Sequence, residues 1–198
     1  MGERLAQPVL RKALYAGADE LILLQDKYFK DLDSYSTAHV LSSAIRKVGE
    51  YDLILTGRQA ADWSFGQTGL ILAKILQIPG INLARKIKIE DNKIVVEKLK
   101  QDGYEVVKAS MPALVTVSRR IGRLRSVPLK AMEGTLAKPL NIWGITDLET
   151  DLLQKLKTRR VYELYTPETG RECTFIEGQS PQEKGGNLAI KLKEDGVT

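Results

Sequence analysis

The chain has 198 residues, 43% hydrophobic and 28% charged, with 30 Lys and Arg against 25 Asp and Glu and a formal net charge of +5. That length supports one globular domain with a sizeable core, and no apolar run approaches the ~20 residues that span a bilayer, so membrane insertion by a helix is excluded. The single cysteine, Cys173, excludes an internal disulfide and a cysteine-based metal cluster, no metal site is expected, and with no signal-peptide core the simplest expected setting is the cytoplasm.

Residues 4–16 read as a helix stopped by Gly17, and Glu20 to Gln25 read as a strand. Asp33-Ser34 can cap the next helix, in which Ala38, Leu41, Ile45 and Val48 recur at spacings of three, four and three and so face a core. His39, the only histidine, lies beside that stripe and is read as a packed or surface residue, because no second histidine, cysteine or serine arrangement makes it a base. Leu53, Ile54 and Leu55 form a short apolar run of the kind a parallel strand shows when covered on both faces. Gly57 then releases the chain into a polar loop, and Gln67-Thr68-Gly69 leads into the apolar segment LILAKILQI, with Pro79-Gly80 as its stop.

This loop follows the carboxyl end of a strand and opens onto a helix start, where free N–H groups and the positive end of the helix dipole favour an anion. A strand, turn and helix can equally be plain scaffold. Gly57 and Gly66 allow close ligand approach or simply turn the chain. Asp62 can accept from ribose hydroxyls or organise the loop as an Asx turn. Ser64, Gln67 and Thr68 can donate to phosphate oxygens, Thr68 can instead cap the helix, and Arg58 neutralises phosphate charge if it points inward rather than to water.

From Lys86 to Lys108 the apolar alternation is of strand type, with turns at Asp91-Asn92 and Asp102-Gly103 that predict hairpins. Pro112 precedes a buried strand, Ala113 to Val117. Arg119, Arg120, Arg123, Arg125 and Lys130 fall in 119–130, which contains no acid; the run suits phosphate, flavin, nucleic acid or an acidic protein, or is a solvated loop face. Nucleic acid is the weakest of these options, because few aromatics interleave the arginines. Lys138-Pro139 precedes the short strand LNIW. A terminal helix is expected over 180–194 after Ser180-Pro181, with Gly185-Gly186 weakening it.

The loop sequence GRQAADWSFGQTG (57–69) resembles the nucleotide-binding signature of the electron-transfer flavoprotein beta-subunit family, G(K/R)QAxDxxxxQxG. The resemblance extends upstream through VLRKALYAGADELILLQD and STAHVLSSAIRKVGEYDLILTG. Downstream it runs through INLARKIKIEDNKIVVEKLKQDGYEVVKASMPALVTVSRR and KPLNIW to EGQSPQEKGGNLAIKLKEDGV, nearly the whole chain. It implies an α/β fold, a three-layer open and mostly parallel sheet of the adenine-nucleotide-binding (HUP-like) type, with a hairpin insertion and a C-terminal arm. Residues 1–143 would form the nucleotide-binding domain and 144–198 the arm, packing on the domain or on the partner subunit.

The family's beta subunit begins with a further strand, helix and strand, whereas this chain opens where the second of those strands ends. An N-terminal portion is therefore expected to be missing, through truncation, a start upstream of Met1 or a separate chain. The resemblance implies that Met1, Gly57, Arg58, Gln59, Ala60, Asp62, Ser64, Gly66, Gln67 and Thr68 hold AMP, or a second FAD. Trp63 and Phe65 depart from the family pattern, and are expected to pack inward as a hydrophobic plug, with lining of an adenine or flavin face as the alternative.

A family member does not catalyse by itself. It pairs with an FAD-containing alpha subunit and passes electrons from dehydrogenases, such as acyl-CoA dehydrogenase, to an acceptor. Val127, Pro128, Leu129 and Lys130 lie where the family carries its dehydrogenase-docking loop. Two other readings stay open: a stand-alone adenine-nucleotide-binding module, and a truncated fragment without function. A hydrolase or transferase has little support, since the loop offers phosphate donors without a base, nucleophile or metal cluster.

Overall fold

The computed structural model describes residues 1–124, 135, 137–149, 151–157, 159–166, 170 and 173–197. They divide into two compact units, Met1–Arg160 and Val161–Thr198. The basic-run residues Arg125 and Lys130, and the expected docking residues Val127, Pro128 and Leu129, lie outside the described residues.

In the first unit the opening helix is two short turns, α1 (Gln7–Leu10) and α2 (Lys12–Tyr15), rather than one helix over 4–16. Pro8 is confined to the first turn of a helix because it lacks an N–H and its ring clashes with the turn before it, so the helix cannot begin as early as residue 4. Strand β1 (Leu21–Leu24) follows, and then α3 (Ser34–Val48). The expected cap is present: Asp33 Oδ1 accepts from the Ser36 N–H at 2.7 Å. Ala38 is fully buried and Leu41 and Ile45 are partly buried, but Val48, at the end of the expected stripe, is exposed.

Strands β2 (Leu53–Gly57), β3 (Gly80–Glu90), β4 (Lys93–Lys100), β5 (Gly103–Ser110) and β6 (Ala113–Val117) form one sheet in the order β2-β6-β3-β4-β5. The first three of these run parallel and the β3-β4-β5 meander is antiparallel. Asp91 and Asn92 both take positive φ, 47° and 59°, as a two-residue hairpin turn requires. Strand β3 starts six residues before the expected Lys86, and its register shifts between Ile81 and Ala84, where Leu83 has φ 57°. At that bulge β3 passes from pairing with β6 to pairing with β4, so one strand serves the parallel core and the hairpin.

Strand β7 (Leu140–Trp143) pairs with β1 in parallel as a separate two-stranded sheet. Helix α4 (Thr68–Leu76) lies between β2 and β3 in sequence, and α5 (Leu152–Lys155) closes the unit. Leu55 is 56% exposed, which corrects the expectation of a strand covered on both faces. The cause is position: β2 ends its sheet, with β6 as its only described neighbour.

Helix α3 serves two cores. Val40 and Ala44 pack with Leu24, Phe29, Ile145 and Leu152, while Ala38 packs with Leu72, Ala73 and Leu114. A third cluster, with Ile81, Ile94, Val96 and Val115, fills the other side of the sheet. In the second unit α6 (Pro181–Glu194) runs through Gly185-Gly186 without a break. Its start is fixed by Ser180 Oγ, which accepts from the Glu183 N–H, and by Glu183 Oε2, which accepts from the Gln179 N–H. Among the described residues no helix is long and apolar enough to cross a membrane.

His39 is partly buried and meets the Tyr35 ring edge-on at 4.5 Å. Burial, and then the positive charges of Lys155 and Arg46, hold its imidazole below the usual histidine range against the opposing pull of Glu149 and Asp151. The folded state therefore favours neutral His39, and its contribution is fully present above the unfolded value of about 6.5 and is lost as pH falls through that value toward the folded one. His39→Gln is expected to show a smaller drop in melting temperature than the parent between pH 7 and pH 5.5. Identical pH profiles for the two proteins would contradict this assignment.

Candidate functional site

The carboxyl end of β2, the loop 58–67 and the first turns of α3 and α4 enclose a cleft of about 460 Å³. Ser34, Thr37 and Leu41, one face of α3, form one wall. Thr56 and Gly57 from β2 and Thr68 and Gly69 from α4 line the cleft opposite. Parallel strands that end together with helices starting beside them leave such a crevice as a matter of topology.

The start of α4 is open to a ligand. Gln67 occupies the N-cap position in a helical conformation (φ −103°, ψ −30°) and makes no side-chain cap bond, so Thr68 is the first helical residue and not a cap. The first N–H groups of a helix have no upstream carbonyl, and here no described side chain takes that place. Gly69 lets this turn press against the sheet. A Cβ added there would meet Thr56 Oγ1 at 2.6 Å and Thr116 Cγ2 at 2.8 Å. The Thr56 hydroxyl itself is buried and has no hydrogen-bond partner among the described residues.

The loop folds back on itself through positive φ at Ser64 (53°) and Gly66 (64°). The Ser64 N–H donates to the Ala60 carbonyl at 3.1 Å, and Asp62 Oδ1 accepts from the Trp63 N–H at 2.9 Å. Asp62 thus organises the loop with one oxygen while it lines the cleft. Gly57, Arg58, Gln59, Ala60, Asp62, Gly66, Gln67 and Thr68 all line the cleft. Ser64 and Met1 are not among the lining residues: Ser64 holds the turn, and Met1 precedes Gly2, which bridges to Gln25 beside the end of β1.

Trp63 and Phe65 do not form an inward plug. They are 42% and 53% exposed and stack on one another at the cleft rim, ring centroids 6.2 Å apart with planes 16° from parallel. The loop 58–67 supplies no other large apolar side chain beside them, and the two rings pair with each other. The guanidinium of Arg159 lies over the Trp63 ring at 4.2 Å and also lines the cleft. The local motif does not reach Arg159, Thr56 or the α3 wall, since they come from other elements or flank the signature, and Gly69, which closes the signature, adds a packing role to the site.

The lining carries two cations, Arg58 and Arg159, against one acid, Asp62, so the cleft favours an anion. A second groove of about 710 Å³ shares the Gly57-Arg58-Gln59 wall and adds Lys100, Arg119 and Arg120 with no acid in its lining. The basic run read from the sequence contributes to it through Arg119 and Arg120, which start a short turn capped by Ser118 Oγ. Among the described residues no group of three or more His, Cys, Asp or Glu side chains is placed to hold a metal ion.

Residues 1–148 match the family model described as the electron transfer flavoprotein domain. The chain is 34% identical to the caffeyl-CoA reductase-Etf complex subunit CarD of Acetobacterium woodii, over 98% of this chain and 75% of that protein. It is 38% identical to the electron transfer flavoprotein subunit beta of Thermoanaerobacterium thermosaccharolyticum, over 97% of this chain and 75% of the relative. The corresponding subunit of Megasphaera elsdenii is 37% identical, over 98% of this chain and 70% of its own length. The second and third of these relatives are named as electron transfer flavoprotein beta subunits, and the first as a subunit of a reductase-Etf complex.

Proposed function

We propose that this chain, which belongs to the electron transfer flavoprotein family, is a beta-type subunit that binds an adenine nucleotide in the cleft between β2 and α4 and pairs with an FAD-containing alpha subunit. Its part is that of an electron carrier's subunit and not of an enzyme. The observation that carries the nucleotide reading is the uncapped α4 start, pressed onto Thr56 at Gly69 and faced by Arg58 and Arg159. The donor set fits a phosphate: backbone N–H groups and the Gln67 and Thr68 side chains to donate, with Arg58 to balance charge. Asp62 is suited to accept from ribose hydroxyls, and the orphaned Thr56 hydroxyl gains a partner when a polar ligand fills the cleft.

A flavin bound to the complex supplies the one- and two-electron chemistry. This chain binds and orients the nucleotide, keeps water from it and shapes the surroundings of the flavin. AMP needs only the first cleft. A second FAD is favoured by one specific feature, the adjoining basic groove behind Arg58 and Gln59, which would take the remainder of a dinucleotide.

Of the arm expected from residue 144, residues 144–160 pack on the first unit, and we assign Val161–Thr198 to the part that reaches the partner subunit, in the cytoplasm. The exposure of Tyr162, Leu164, Tyr165 and Phe175 within Val161–Thr198 supports this, since large apolar side chains in water mark contact surfaces. Val127, Pro128, Leu129 and Lys130 are proposed, on the resemblance alone, to dock dehydrogenases such as acyl-CoA dehydrogenase. The test is reduction of flavin in the co-purified pair. The pair is expected to accept electrons from a dehydrogenase that cannot reduce the alpha subunit alone, and equal reduction of both would overturn the proposal.

A further inference from the structure

The segment after α5 is fastened to the start of α3 by a ladder of hydrogen bonds. The Lys157 N–H donates to Ser36 Oγ at 2.7 Å, the Asp33 N–H to the Lys157 carbonyl at 3.2 Å, and the Arg159 N–H to the Asp31 carbonyl at 2.7 Å. The ladder fixes where the Arg159 side chain begins, and stacking on Trp63 fixes where it ends. A cation over an indole face at this distance is attracted to it while keeping its in-plane donors free. The Nε–H of Arg159 is shielded from solvent and has no hydrogen-bond partner among the described residues, an uncommon state for a charged group. Phe65 extends the same aromatic rim, its centroid 6.0 Å from the guanidinium.

We propose that Arg159, held over Trp63 at the rim of the cleft, is a phosphate-recognising residue that sets the preference of the site for a charged nucleotide over the uncharged nucleoside. This rests on the nucleotide reading above. From a part of the chain far from the loop in sequence, the strap brings a second cation to the cleft that Arg58 also lines, so an anion entering at the α4 start meets two cations. A bound phosphate oxygen satisfies the orphaned Nε–H, and the planar fork of arginine keeps its stacking contact while it donates. Lysine would keep the charge and lose both the stack and the fork.

The test titrates the full chain, stripped of bound nucleotide, with AMP and with adenosine, using the parent, Arg159→Gln and Arg159→Lys. The parent is expected to prefer AMP. Arg159→Gln is expected to weaken AMP about ten- to a hundredfold, the worth of one to two charge-assisted bonds, and to leave adenosine unchanged, with Arg159→Lys in between. Melting temperatures should agree across the three proteins, because the backbone ladder remains in each. Unchanged AMP binding in Arg159→Gln, or equal losses for AMP and adenosine, would overturn the role of Arg159 and leave the nucleotide site standing. A parent that binds neither compound would overturn both.

Discussion

Gly69→Val is expected to destabilise the protein by about 1–3 kcal/mol and to weaken nucleotide binding at least tenfold, about 1.4 kcal/mol. Even the first added carbon would stand 2.6 Å from Thr56 Oγ1 and 2.8 Å from Thr116 Cγ2. Neither neighbour yields cheaply. Both are short β-branched side chains with restricted rotamers, and the Thr116 hydroxyl is committed to the Leu83 N–H at 3.0 Å, at the bulge where β3 changes partners. Helix α4 must therefore lift off the sheet, and its first N–H groups move with it. Replacing glycine inside a helix would ordinarily gain up to about 1 kcal/mol of propensity, so a net loss isolates the packing cost. Thermal unfolding and AMP titration of Gly69→Val check both halves, and an unchanged protein would show that the α4 start does not depend on this contact.

The larger effect on stability alone is expected at Leu114. It is fully buried in the middle of β6, with β2 and β3 as its neighbours, and it packs against Ala38 of α3 and Leu72 and Ala73 of α4. Leu114→Ala removes atoms from the place where two helices meet the sheet, and its surroundings are held by three elements, so the cavity cannot close easily. A loss of roughly 2–5 kcal/mol is expected, a fall in melting temperature on the order of 5–15 °C for a chain of this size. Leu55→Ala is the matched comparison, since Leu55 is exposed at the end of the sheet and its loss should cost within about 0.5 kcal/mol. Similar losses at the two positions would contradict the burial assigned to them.

Local chemistry made some elements legible and left others unreadable. The hairpin turn at Asp91-Asn92, the buried run Ala113–Val117 and the terminal helix behind Ser180 are written in a few adjacent residues each, and the structure has them where the pattern puts them. The pairing of β1 with β7 joins Leu21 to Leu140, and no short-range signal specifies it. The early start of β3 is hidden because Pro79-Gly80 reads as the stop of α4, whereas the helix ends at Leu76 with Gln77 left-handed and Gly80 already pairs with Leu114. The exposure of Leu55 is not legible because an apolar run reports a strand but not its place in the sheet. The placement of Trp63 and Phe65 is not legible because hydrophobicity says only that a ring prefers a partner, and here the partner is the other ring and the Arg159 guanidinium.

The loop signature located most of the cleft, because a β-strand end, a turn and a helix start are contiguous in sequence. What it omitted came from distant elements. Ser34 and Thr37 arrive with α3 and Arg159 with the strap after α5, brought to the cleft by hydrogen bonds such as Lys157 to Ser36 Oγ. A motif of thirteen residues gives the floor and lip of a site, and the tertiary fold supplies its walls and rim.

On the proposed reading this chain holds a nucleotide of its own beside the flavin of its partner. Denaturing extraction of the co-purified complex, followed by mass spectrometric quantitation of the released nucleotides, tests it most directly. One FAD with one AMP per complex, or two FAD, is the expected result, the second composition assigning the basic groove behind Arg58 to the rest of the dinucleotide. A complex that carries a single FAD and no further nucleotide would contradict the claim.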